Sequence, residues 1–110
     1  MSRSIYVTSA EGNSGKSTVA LGLVDTLSHQ VQRVGVFRPV ARSQDERDYV
    51  LEVLLGHSGV DLDYEDCIGV GYDEVHADQE AALAVIVERF KAIERRSDAV
   101  VIVGSDYTDV

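Results

Sequence analysis

The residues best suited to do chemistry in this chain lie at positions 12–17, where the sequence is GNSGKS. They match the end of the phosphate-binding pattern G-x-x-x-x-G-K-[ST], with Ala10 at the opening position, where the pattern has glycine. Glycines at positions 12 and 15 let the backbone turn tightly and approach an anion without a Cβ in the way. Backbone N–H groups of such a loop, and of a helix that follows it, converge on phosphate oxygens. The run therefore predicts a site for a phosphate chain.

The expected ligand is ATP or another nucleotide, bound with magnesium. We expect its phosphates to contact seven consecutive residues: Gly12, Asn13, Ser14, Gly15, Lys16, Ser17 and Thr18. Lys16 would contact the outer phosphate oxygens, and the Ser17 hydroxyl would ligate the magnesium ion. The alternative is a glycine-rich turn between a strand and a helix that binds no ligand. The sequence alone leaves both interpretations open.

Apolar segments on either side of this loop, and later in the chain, indicate an α/β fold. Residues 5–8 before the loop predict a strand, and residues 17–28 after it predict a helix. A second strand is expected at 33–37, ended by Pro39, which cannot donate to a central ladder. The continuously apolar run at 99–103 predicts a third, buried strand. These elements predict a three-layer α/β/α fold whose parallel sheet has the order second, third, first strand.

The remaining segments predict two further helices and a connector. Ser43 and Glu46 form an S-x-x-E capping box that would begin a helix ending at Gly56. Residues 59–73 are acidic and irregular, and predict a connector with at most a short strand. A third helix is indicated by apolar residues at i, i+3, i+4, i+7 and i+10, namely Leu83, Ile86, Val87, Phe90 and Ile93.

The composition restricts the partners and the compartment that we expect. The chain has 110 residues and a net charge of −9, with ten Lys plus Arg against nineteen Asp plus Glu. This charge argues against nucleic acid and against an anionic membrane as partners. The partner that we expect, a nucleotide or another phosphorylated metabolite, follows from the GNSGKS run and not from the charge. No apolar stretch approaches the roughly 20 residues that span a bilayer. A single cysteine, Cys67, allows no internal disulfide, so we expect a cytoplasmic protein.

No residues in the chain form a recognisable catalytic group. His29, His57 and His76 are scattered and lack the spacing of metal ligands. Cys67 follows Glu65 and Asp66, whose negative charges should raise its thiol pKa and disfavour a nucleophilic thiolate. We therefore predict no catalytic residue in this chain.

Residues 8–18 (TSAEGNSGKST) and 36–41 (VFRPVA) resemble the dethiobiotin synthetase branch of phosphate-loop proteins. The whole chain resembles the N-terminal region of long-form bacterial phosphate acetyltransferase. The resemblance implies a P-loop NTPase-like fold, with residues 1–110 as the N-terminal part of such a domain. It implies a regulatory or assembly role, in a parent enzyme that moves acetyl groups between acetyl phosphate and coenzyme A. The sites for coenzyme A and acetyl phosphate would lie in a separate C-terminal domain.

The same resemblance assigns roles to individual positions. Arg38 stands where the synthetase has a lysine that holds the substrate carbamate, and either Asp45 or Asp48 stands near a metal-associated aspartate. Gly104 replaces a glutamate that follows the last strand, and Asp106 is the nearest acid. The implied metal ligands are Ser17, Asp45 and Asp106. Two alternatives remain: an ATP-dependent ligase of the synthetase type, or a nucleotide-sensing module without catalysis.

The predicted strand order also bears on self-association. The first strand would lie at an exposed edge, with no lysine or proline to discourage pairing. Further strands of a longer parent protein would cover this edge, so we expect exposed side chains such as Leu21 and Val24 on the first helix. We therefore expect a homo-oligomer, most simply a two-fold dimer that pairs first strands.

Overall fold

The structure is a computed structural model that describes residues 3–7, 16–41 and 47–104, with the backbone alone for Lys16 and Ser17. Its elements, in chain order, are β1 (Arg3–Val7), α1 (Lys16–Ser28), β2 (Val34–Ala41), α2 (Tyr49–Leu55), α3 (Tyr64–Cys67), β3 (Ile68–Gly71), α4 (Tyr72–Ala77), α5 (Gln79–Arg95) and β4 (Ala99–Val103). Within these ranges, no helix is long and apolar enough to cross a membrane.

The sheet is parallel, and its strands lie in the order β1-β4-β2-β3. The three strands predicted from sequence are present in the predicted relative order, and β1 lies at an edge. The strand count was wrong, because the described residues form a fourth strand, β3, at the opposite edge. The α/β fold with a parallel sheet is confirmed and is consistent with a P-loop NTPase-like architecture.

Strand β2 does not stop at Pro39, as the sequence had suggested, but continues to Ala41. Its pairing with β4 ends at Phe37, and its pairing with β3 uses Arg38, Val40 and Ala41. Pro39 is paired in neither register, so its missing N–H costs no ladder bond. Gly69 of β3 lies beside it, and a Cβ at that glycine would collide with the Pro39 carbonyl oxygen. The two strands therefore approach closely only because position 69 has no side chain.

The helices lie on both faces of the sheet because the direction in which successive strands are added across the sheet reverses after β3. The steps from β1 to β2 and from β2 to β3 run one way across the sheet, and the step from β3 back to β4 runs the other way. Since such crossovers are right-handed, α1 and α2 cover one face and α5 covers the other. Contacts between α1 and α2, and between α4 and α5, agree with this arrangement.

Helix α1 packs more completely than expected. Val24 is fully buried, together with Ala20 and Leu27, and Leu21 is half-buried. The expectation that Val24 would be exposed was therefore wrong, because β1 and β4 already cover that side of the helix. The exposed apolar side chain on α1 is Val19, at 56%.

Helix α2 begins later than the capping box predicted. Its N-cap is Asp48, whose side chain accepts a hydrogen bond from the Leu51 N–H, and the helix starts at Tyr49. Ser43 and Glu46 lie outside the described residues. The helix ends before Gly56, as predicted. The acidic segment 59–73 is more ordered than predicted, since it contains α3, β3 and the start of α4.

Helix α5 confirms the helix predicted from periodicity, but its buried side is rotated relative to the periodic set. Ala82 and Ile93 are buried, and Ile86 and Phe90 are half-buried. Leu83 and Val87, two of the five periodic residues, are exposed at 53% and 49%. The helix begins at an N-cap, Asp78, which accepts a hydrogen bond from the Ala81 N–H.

Candidate phosphate-binding site

The ends of β1 and β4 and the start of α1 define the edge of the sheet where the predicted loop lies. Val7 ends β1 beside Val103, the last residue of β4, and the Gly104 N–H donates to the Val7 carbonyl oxygen at 2.8 Å. Helix α1 begins at Lys16, so residues 8–15 connect the carboxyl end of β1 to the amino end of α1. The first turn of α1 contains no acidic residue, so no carboxylate in that turn offsets the positive end of the helix dipole.

The residues predicted to bind the ligand are only partly within the described structure. Gly12, Asn13, Ser14 and Gly15 lie outside it, and so do the predicted metal ligands Asp45 and Asp106. Lys16 and Ser17 open α1, and Thr18 is exposed on its first turn. Among the residues that the structure describes, no group of three or more His, Cys, Asp or Glu could hold a metal ion. The phosphate and metal assignments therefore stay predictions.

Arg38 is a predicted ligand-contacting residue whose side-chain partners the structure describes. It lies near the end of β2 and is 7% exposed. Its Nε donates to Asp48 Oδ2 at 2.8 Å, and one terminal nitrogen donates to the Gly104 carbonyl oxygen, also at 2.8 Å. Arg38 therefore links β2 to the start of α2 and to the residue that follows β4.

Asp48 has protein partners for both of its carboxylate oxygens. Oδ2 is paired with Arg38, and Oδ1 accepts the Leu51 N–H at 3.0 Å as the N-cap of α2. Its own backbone N–H donates to the Tyr64 hydroxyl at 2.6 Å. Of the two aspartates that the resemblance left open as metal-associated, Asp48 thus has a helix-capping and ion-pairing role in this structure.

Tyr64 extends this group toward the surface. The Arg47 guanidinium lies 4.0 Å from the centre of the Tyr64 ring, and Arg47 also pairs with Glu52. We call Arg38, Asp48 and Tyr64 the carboxyl-edge cluster. No sequence pattern predicted this cluster. The position of Asp48 just before an apolar helix could have indicated its capping role, but no local pattern connects Tyr64 to it.

Gly104 has a steric role that bears on its departure from the synthetase pattern. A Cβ at this position would collide with the hydroxyl and ring of Tyr6 on the neighbouring strand β1. A glutamate could therefore stand at position 104 only if Tyr6 moved. Gly104 contributes its backbone to this edge and no side chain. Its N–H donates to the Val7 carbonyl oxygen, and its own carbonyl oxygen accepts from Arg38.

Comparisons with known proteins identify the family of this chain and two of its relatives. A family model described as "AAA domain" matches residues 3–110. The chain is 34% identical over 114 residues to a phosphate acetyltransferase of Nitratidesulfovibrio vulgaris strain Hildenborough. It is 28% identical over 114 residues to a phosphate acetyltransferase of Synechocystis sp.. Each alignment covers 97% of this chain and 16% of the relative, so the chain spans about a sixth of the length of these proteins.

Proposed function

We propose, from the premise that this chain belongs to the AAA domain family, that it binds a nucleotide or another phosphorylated metabolite with magnesium. The observation that carries the proposal is the position of the GNSGKS run. It lies in the segment between the parallel strand β1, which ends at Val7, and helix α1, which its last two residues open. Loops in this position direct backbone N–H groups at phosphate oxygens.

The chemistry of the residues at this edge suits such a ligand. The amino end of α1 carries no acid in its first turn, and Lys16 adds a positive charge there. Gly12, Asn13, Ser14, Gly15 and Thr18 would supply the remaining phosphate contacts, with Ser17, Asp45 and Asp106 as the magnesium ligands. Magnesium favours oxygen ligands in a near-octahedral array, which hydroxyl, carboxylate and phosphate groups provide.

We further propose that ligand binding has a regulatory or assembly role in a protein related to phosphate acetyltransferases. Both relatives carry that name. The resemblance implies that the parent reaction transfers an acetyl group between acetyl phosphate and coenzyme A. The Cys67 thiol is not an activated nucleophile, because it is buried and burial raises its pKa to about 12. A non-catalytic role for this chain is therefore favoured.

The ligase alternative has less support. It would use Arg38 to hold a substrate carbamate, but the Arg38 guanidinium already bonds to Asp48 and to the Gly104 carbonyl within the protein. It would also use an acid directly after the last strand, where this chain has Gly104. The internal bonds of Arg38 and the glycine at position 104 both favour a binding domain over a synthetase-type active site.

Titration calorimetry with ATP and magnesium tests the binding proposal. Lys16→Ala should weaken binding by about 1.5–3 kcal/mol, the range for a hydrogen bond to a charged group. The matched control is Lys91→Ala, since Lys91 is the other lysine of the chain and lies on α5, which covers the opposite face of the sheet from α1. Equal affinity in Lys16→Ala and the unmodified chain, or no binding by either, contradicts the proposal.

A second assay tests the non-catalytic role. The purified chain, mixed with acetyl phosphate and coenzyme A, should form no acetyl-coenzyme A, as followed by thioester absorbance. The control is the same mixture with a full-length phosphate acetyltransferase. Turnover by this chain clearly above the buffer blank would place acetyl-transfer chemistry within these 110 residues and overturn this part of the proposal.

A further inference from the structure

The side of α5 that faces away from the sheet is unusually apolar for an exposed surface. Leu83, Val85 and Val87 are 53%, 37% and 49% exposed, although the helix already buries Ala82 and Ile93 on its other side. An open groove of about 690 Å³ runs along this side and is lined by Leu83, Ala84, Val87, Glu88, Lys91, Ala92 and Arg95. We call these seven residues the outer α5 face.

The charges on this side of the helix follow a simple order along its axis. Glu80 lies in the first turn, and Lys91 and Arg95 lie in the last two turns. Neither Lys91 nor Arg95 forms an ion pair with any residue in the described ranges. They are also four residues apart, where two like charges repel each other on a helix surface. Glu88 lies three residues before Lys91 on the same face, so Arg95 is the positive charge on this face that lacks an acidic partner among the described residues.

A second copy of the same helix, running antiparallel, would supply that partner. Glu80 and Arg95 are about 22 Å apart along a helix that rises 1.5 Å per residue. In an antiparallel pair centred between Val87 and Glu88, each Glu80 lies at the level of the other copy's Arg95. A parallel pair would bring Arg95 against Arg95 and is therefore disfavoured.

We propose that the outer α5 face binds the same face of a second copy of this chain, giving a two-fold dimer with antiparallel α5 helices. The small side chains of Ala84 and Ala92 let the two helices approach closely. The face together with Glu80, one turn before it, is neutral, because Glu80 and Glu88 balance Lys91 and Arg95, whereas the whole chain carries a charge of −9 that opposes contact elsewhere. This inference goes beyond ligand binding at the phosphate loop and does not depend on it.

The competing surface is the edge of β1 that pairs with no other described strand, and which we expected from the sequence to pair with its own copy. That edge is five residues long and carries Arg3, a charged residue of the kind that discourages edge pairing. The outer α5 face offers a groove, exposed apolar side chains and self-complementary charges. We therefore assign the dimer to α5, and the two surfaces can be distinguished by mutation.

Light scattering on size-separated samples over a range of concentrations tests the assignment. The unmodified chain should form dimers, Val87→Glu should remain monomeric, and Ser4→Lys should dimerise as the unmodified chain does. Ser4 is exposed on β1, where a lysine discourages edge pairing. Unmodified chain that stays monomeric, or dimers that are lost in Ser4→Lys and kept in Val87→Glu, overturn the proposal.

Charge reversal provides a sharper test that a folding defect would not reproduce. Glu80→Lys alone and Arg95→Glu alone should each weaken dimerisation on the order of tenfold, because each places two like-charged pairs across the interface. An equal mixture of the two variants should recover the original affinity, since both contacts then join opposite charges. A mixture no tighter than either variant alone overturns the antiparallel register. Nucleotide titration of Val87→Glu separates this outcome from the phosphate-loop proposal, because monomeric Val87→Glu should bind as the unmodified chain does.

Discussion

Arg38 and Asp48 form a buried ion pair at the carboxyl edge of the sheet, with a 2.8 Å distance between Nε and Oδ2 and side chains that are 9% and 8% exposed. The pair joins β2, which contains Arg38, to the N-cap of α2, which is Asp48. Arg38 also bonds to Gly104, and Asp48 also caps α2. The pair therefore connects β2, α2 and the end of β4. Its environment contrasts with that of the exposed pair between Arg96 and Asp66.

Arg38→Met should lower the free energy of unfolding by about 3–5 kcal/mol, because it leaves the Asp48 carboxylate buried without its countercharge. Urea denaturation measures the loss. The matched control is Arg96→Met, which removes an ion pair whose side chains are 53% and 45% exposed and should cost less than about 1 kcal/mol. Equal losses in the two variants would contradict a structural role for the buried pair.

The same substitution at two glycines should have opposite effects on stability. Gly69→Ala should destabilise the protein by more than about 1 kcal/mol, because its Cβ would collide with the Pro39 backbone and separate β3 from β2. Gly22→Ala should stabilise it by about 0.5–1 kcal/mol, because Gly22 lies inside α1 with nothing within 4 Å of the added Cβ. Thermal melts of both variants measure the signs, and a stabilised Gly69→Ala would mean that β3 is not held against Pro39.

Cys67 should be inert toward thiol reagents while the protein is folded. Burial, with a further contribution from the Asp66 carboxylate, raises the pKa of its thiol to about 12, so about one molecule in 10⁴ carries a thiolate at pH 8. A chromogenic disulfide reagent should label the native chain slowly and the urea-unfolded chain to completion. Rapid stoichiometric labelling of the native chain would contradict the buried position of this thiol.

Acid should destabilise the protein partly through Asp98. A hydrogen bond from the Arg33 side chain, together with one from its backbone N–H, holds the Asp98 pKa below its ordinary value. The unfolded chain therefore binds more protons than the folded one as the pH falls below about 4, so this contribution is present above that pH and is lost below it. Asp98→Asn and Arg33→Gln should both flatten the fall in urea midpoint between about pH 5 and pH 3. An unchanged slope in both variants would contradict the assignment.

Much of the fold could be predicted from the sequence because its signals are local. The apolar run 99–103 correctly predicted β4, and the 3.6-residue period of apolar residues correctly predicted α5. The order of β1, the glycine-rich run and α1 indicated the type of fold. The family resemblance rested on the same local motifs, and the match of residues 3–110 to the AAA domain family agrees with it. The positions of the candidate phosphate contacts along the chain followed directly from these patterns.

The tertiary structure decided what depends on residues far apart in the chain. Residues 68–71 form a strand because the edge of β2 is there to pair with and Gly69 admits the Pro39 backbone, neither of which their own composition reveals. The rotation of α5 buries Ala82 and exposes Leu83, since the sheet beneath selects one side of a helix whose apolar residues extend beyond it. The role of Arg38 likewise depends on Asp48 and Gly104, which are ten and sixty-six residues away in the chain. A buried charge is stable only with a countercharge and hydrogen-bond partners, and folding brings these partners together.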